Sequence, residues 1–129
     1  MMMGRKILIV GPDKELYRRF KVHLPEKDYH ISYTQYTDYE LNPIIDQVNP
    51  ELIVVDPQTP SLQGLEISLR IRGWTQIPIL ILSTAETREN EVRTLDLAAI
   101  DYLSEPFELG IVAVRMETIL SLSTYCLQR

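Results

Sequence analysis

Short, wholly apolar runs take turns with amphipathic stretches along this chain, and few folds satisfy such a pattern. Lys6–Val10 (KILIV) reads as a buried strand closed by the breakers Gly11 and Pro12. Asp13 then stands where it caps a helix with Leu16, Phe20 and Leu24 on one face. Tyr29–Gln35 alternates as a second strand. Asn42 before Pro43 predicts a cap followed by proline at the first helical position, hence a short helix over Pro43–Val48. Leu52–Val55 (LIVV) is a third buried strand, and Leu65–Arg72 a helix stopped by Gly73. Ile77–Leu82 (IPILIL) predicts a fourth strand, Glu86–Ala98 a fourth helix and Asp101–Ser104 a short fifth strand. The last and longest helix runs from Phe107 to about Leu127. Such an alternation makes an α/β fold around a parallel sheet whose strands are covered by helices on both faces. Right-handed crossovers then bring every strand's carboxyl end to one edge.

Size and charge narrow the function. The chain has 129 residues, which is one ordinary domain, and no linker or repeat divides it. With 45% apolar and 24% charged residues it is a globular mixture. No apolar run approaches the ~18 residues of a membrane span. Ile7–Val10, after the basic pair Arg5 and Lys6, is too short for a signal-peptide core. Cys126 is the only cysteine, which excludes an intrachain disulfide and fits a reducing, cytoplasmic home. Net charge is −5, from 18 acidic against 13 basic residues. That balance repels phosphate backbones and argues against nucleic-acid binding by this domain alone.

Ligands of open parallel sheets bind beyond the carboxyl ends of the strands. In this chain those ends carry Gly11-Pro12-Asp13, Asp56, Ser83-Thr84 and Ser104-Glu105-Pro106. Asp56 is the most conspicuous, because a carboxylate directly after four apolar residues is a poor strand residue. Its plainer reading is a loop aspartate held extended by Pro57.

The segment PELIVVDPQTPSLQG (Pro50–Gly64) resembles the phosphoacceptor stretch of response-regulator receiver domains, with Asp56 as the acceptor and Pro60 and Gly64 matching the loop positions. IPILILSTAE (Ile77–Glu86) is similar to the family's fourth strand, with Ser83 at its switch hydroxyl. AAIDYLSEPF (Ala98–Phe107) is similar to the stretch holding the switch aromatic and a Lys-Pro pair, where Tyr102 and Pro106 match. The resemblance covers about residues 5–125. It implies a flavodoxin-like (CheY-like) three-layer sandwich, with a five-stranded parallel sheet in the order 2-1-3-4-5 and five helices.

The chain departs from that pattern where the family's chemistry sits. Two acids that hold magnesium follow the first strand in standard receivers; here Gly11 and Pro12 stand there. The third acid of the run survives as Asp13, in the capping position. The lysine expected before Pro106 is replaced by Glu105. Phosphoryl transfer to a carboxylate brings negative groups together and needs cations to neutralise them. At ~4 Å and an effective dielectric of 20, each charge pair is worth about 4 kcal/mol before solvent relaxes. Losing an attraction and gaining a repulsion therefore costs orders of magnitude in rate. The reading is a degenerate, or pseudo-, receiver that needs no cofactor. A working phosphoacceptor with magnesium is the alternative, and a Mg2+ grip by Asp56 and Glu105 a weaker one.

Without a phosphoryl group, Ser83 and Tyr102 serve equally well as a loop cap and a packed ring. His23 and His30 are isolated and read as surface or half-buried side chains rather than ligands, and the tyrosines at 29, 33, 36 and 39 as a packed strand face, with an interface as the second reading. In the last helix Val112, Met116, Ile119 and Leu120 form a core face. Ile111, Val114, Leu122 and Tyr125 form a second apolar stripe, either peripheral core or a dimer surface on the side of the fourth helix and fifth strand. Receivers of winged-helix transcription factors pair through that side with charges; Asp101 and Arg115 fall on their positions, while an expected glutamate is Ile111.

These readings describe a non-enzymatic signalling module. Its partners are a protein or output domain, a histidine kinase and a second copy through the last helix. The chain stops soon after that helix, as the N-terminal receiver of a longer transcription factor or a single-domain protein would. A nucleotide-binding domain is disfavoured, because the GPDK loop lacks a glycine-rich phosphate cradle.

Overall fold

Each apolar run becomes a strand, and the strands lie side by side in parallel. A computed structural model of the protein describes residues 4–12, 14–35, 41–56, 61–83, 100–104 and 108–127; for 61–66, 83, 100–104 and 122–127 it describes the backbone. The elements are β1 (Arg5–Val10), α1 (Glu15–His23), β2 (Tyr29–Thr34), α2 (Leu41–Val48) and β3 (Leu52–Val55). They continue as α3 (Ser61–Trp74), β4 (Ile79–Ser83), β5 (Ile100–Ser104) and α4 (Leu109–Leu127). The sheet order is β2-β1-β3-β4-β5, as expected for a flavodoxin-like sandwich. The helix expected over Glu86–Ala98 lies outside the described residues.

The two-residue period of β1 builds the layers. Ile7 and Ile9 point to one face, where Leu16, Phe20 and Leu24 meet Val112, Met116 and Leu120 of α4. Leu8 and Val10 point to the other, against Leu41 and Ile45 of α2 and Ile67 and Ile71 of α3. Ile119 is only half-buried against the first cluster.

Several expected boundaries move, among them the start of α3, which is Ser61 rather than Leu65. The N-cap position of α1 is Lys14, with no side-chain cap; Asp13 lies outside the described residues. Helix α2 begins at Leu41, so Asn42 is inside it rather than its cap. Burying Leu41, 2% exposed, is worth about 1.5–3 kcal/mol, which outweighs the ~1 kcal/mol of a cap. Pro43 remains in the first turn, where its missing N–H costs nothing.

Gly73 does not stop α3. The helix runs to Trp74, Thr75 N–H donates to the Ile71 carbonyl (2.8 Å), and Arg72 holds the carbonyls of Thr75 and Ile77 at 2.7 and 2.9 Å. Finally, β4 starts at Ile79, because Pro78 has no N–H for the ladder; its carbonyl still accepts from Ile53 N–H at 3.0 Å. Helix α2 ends on Asn49 with a left-handed φ of 53°, a common helix stop.

Candidate functional site

The carboxyl edge of the sheet brings Gly11 and Asp56 together. Val10 pairs with Val55 in the β1–β3 register, so the next residue of each strand is Gly11 and Asp56. Asp56 donates its N–H to the Val10 carbonyl at 2.9 Å, and Gly11 donates its own to the Thr34 carbonyl at 3.1 Å. Asp56 is 2% exposed, unlike an ordinary loop aspartate. A Cβ on residue 11 would lie 2.6 Å from Asp56 Cβ and 2.8 Å from its Oδ2. Real Cβ atoms do not approach other heavy atoms this closely, so a side chain at 11 would force a shift. No described glycine has a positive φ; Gly11 is needed for space, not for an unusual turn.

Side chains from β2 and from the residue after it brace the same loop. The Tyr33 hydroxyl donates to the Gly11 carbonyl and Gln35 Nε2 to the Pro12 carbonyl, both at 3.3 Å. The Tyr33 ring packs tilted against Tyr17 of α1 at 6.2 Å, and Lys21 Nζ lies 5.9 Å from the Tyr17 ring centre. This brace was missed from sequence, although Tyr33 sits at the strand end on the α1 side. At the start of β2, the hydroxyl of the buried Tyr29 donates to Glu117 of α4. Burial first, then the Glu117 carboxylate, holds the Tyr29 phenol well above its ordinary value. His23 and His30 are both exposed, as expected of surface residues.

Magnesium at this edge needs near-octahedral oxygen ligands about 2.0–2.1 Å away. Gly11 and Pro12 offer no side-chain oxygen, and Asp56 already fills the volume beside Gly11. The described residues do not fit the ion. Among them no cluster of three His, Cys, Asp or Glu side chains is arranged for a metal. The positions Asp13, Pro60, Glu105 and Pro106 lie outside the described residues. For Ser83, Tyr102, Asp101 and Gly64 the backbone alone is described: Ser83 pairs with Ser104, Tyr102 with Ile81 and Asp101 with Leu80, while Gly64 lies in α3.

A second feature lies on the α1–α4 face. A groove of about 710 Å³ is lined by Arg19 and His23 of α1 and by Glu108, Leu109, Gly110, Ile111 and Val114. Ile111 is 51% exposed and Val114 68%, so neither is peripheral core. Both line this groove beside α1; the helix expected over Glu86–Ala98 and the β5 side chains, on the side where the interface is expected, lie outside the described residues. Arg115 is half-buried on α4; the side chains of Leu122 and Tyr125 lie outside the described residues.

Known proteins share this architecture. The model of the response regulator receiver domain matches residues 7–116. Response regulator protein GraR of Staphylococcus haemolyticus is 28% identical over 115 residues, 88% of this chain and 50% of that protein. The chain thus spans about half the length of the curated relatives it matches. Among solved structures, the N-terminal domain of the nisin resistance regulator NsrR is similar at a TM-score of 0.73 and 28% identity, covering 90% of this chain and 97% of that one. A two-component response regulator from Clostridium difficile gives 0.73 at 27% identity, covering 91% and 96%. Fold, strand order and a match over nearly the whole chain agree: the chain belongs to the response regulator receiver domain family.

Proposed function

We propose that this receiver signals through protein contacts and that magnesium-dependent phosphorylation of Asp56 is impaired or lost. The observation that carries this reading is Gly11, a side-chain-free residue packed on Asp56 where the family's chemistry calls for a carboxylate. Pro12 supplies no oxygen either, and Glu105 replaces the expected lysine in the sequence. Neutralising charge as a phosphoryl group approaches a carboxylate is most of this reaction's catalysis, and the chain has given up its sources. A magnesium titration followed by NMR tests the reading. The Asp56 and Gly11 amide signals should show no saturable shift at millimolar magnesium.

A working phosphoacceptor is the second reading, favoured by Asp56 itself at the end of β3. It predicts saturable shifts at both amides in the same titration, and that outcome would contradict the first.

The partners on the first reading are proteins: a histidine kinase, an output domain such as that of a transcription factor, and a second copy of the chain. We assign the second copy to the α1–α4 groove. Its α1 wall carries Arg19 and His23, and the facing wall carries Glu108, just before α4, with Ile111 and Val114. Across a two-fold axis, the α1 wall of one copy meets the α4 wall of the other, covering the apolar pair and facing cation to carboxylate. No described helix is long and apolar enough to cross a membrane. The cytoplasm is the compartment that goes with this reading.

A further inference from the structure

We infer that Gly11 holds this end of the sheet shut: Asp56 occupies the place that the Cβ of any other residue at position 11 would take, so a side chain at 11 and the Asp56 side chain exclude one another here. The inference rests on the reading that magnesium chemistry at Asp56 is lost, and it adds a steric cause to the electrostatic one. The nearest Asp56 atom to a Cβ on residue 11 is Asp56 Cβ, at 2.6 Å. That atom is fixed by the β3 backbone. Turning the Asp56 side chain moves Oδ2 away but leaves the Cβ contact in place. A side chain at 11 therefore has to part the ends of β1 and β3.

Three hydrogen bonds resist that parting. Asp56 N–H to the Val10 carbonyl (2.9 Å) ties the two strand ends together. Gly11 N–H to the Thr34 carbonyl (3.1 Å) and the Tyr33 hydroxyl to the Gly11 carbonyl (3.3 Å) hold the loop from the β2 side. Packing at this density does not yield to an added methyl group without strain. Replacing the missing acid at position 11 thus meets a closed sheet end, and Asp56 is kept as a packing residue.

A double-mutant cycle of Gly11→Ala, Asp56→Gly and the two combined tests this by thermal unfolding. Gly11→Ala alone should lower Tm by about 5–15 °C, the range for a core methyl group without room. With the Asp56 side chain removed, the same substitution should cost only a small fraction of that drop. Should Gly11→Ala fail to fold while the double variant folds, the inference is supported as well. Additive losses, a Gly11→Ala protein as stable as the parent, or failure of Gly11→Ala both alone and with Asp56→Gly would overturn it. Phosphorylation of Asp56 in the unaltered protein would sink the functional reading without touching this coupling. An additive cycle would do the reverse.

Discussion

Tyr29 shows what one side chain contributes to this fold. It stands on the edge strand β2, is buried, and donates its hydroxyl to Glu117 on α4, joining the first half of the chain to its last helix. Tyr29→Phe should cost about 0.5–1.5 kcal/mol in urea unfolding, the worth of one hydrogen bond whose acceptor is exposed. The bond also sets an alkaline limit. The ordinary tyrosine value is 10.0, and the folded phenol lies above it. Below pH 10 both states keep the proton and the contribution is intact; above it the unfolded chain ionises first. Stability then falls by up to about 1.4 kcal/mol per pH unit until the folded phenol also ionises. Unfolding midpoints at pH 9 and pH 11 should converge between parent and Tyr29→Phe as the pH rises. Residues differ in how far the sequence reveals them. Asp56 stood out as a carboxylate after LIVV, and Gly11 as an absent acid. Their contact was not legible, because it depends on how closely β1 and β3 approach at their ends, which no local pattern encodes.

Whole elements were easier to read than their ends. All five strands and the described helices follow the apolar periodicity, since burial of Ile7, Ile53 or Leu80 leaves a run little choice. Boundaries went wrong where turn residues suggested a stop that tertiary contacts overrode. Gly73 is the sharpest case: α3 passes through it, the Trp74 indole donates to Asp46 of α2 at 3.0 Å, and Arg72 holds the carbonyls of Thr75 and Ile77 just beyond the helix end. A Cβ on Gly73 meets nothing within 4 Å. Gly73→Ala should therefore stabilise the protein by about 0.5–1 kcal/mol in chemical denaturation, the ordinary helix-interior gain. A glycine terminating the helix in a left-handed conformation would give a loss instead.

At the scale of the molecule, the sheet divides the work. Its carboxyl edge packs Asp56 against Gly11, which carries no side chain, while the α1–α4 face exposes Ile111 and Val114 in a charged groove. Helical spacing in the last helix revealed that second stripe; which neighbour it faces is set by packing on the sheet and was not legible. Ile111→Glu should reduce self-association in light scattering at high micromolar concentration by tenfold or more, the effect of a buried uncompensated charge. A parent protein that is monomeric there, or unchanged association in the variant, removes the dimer from the account. The carboxyl edge carries the larger claim, and intact-mass spectrometry after incubation with acetyl phosphate and magnesium tests it directly. The account predicts no stoichiometric phosphoryl gain on this chain; a gain in the parent that disappears in Asp56→Asn contradicts it.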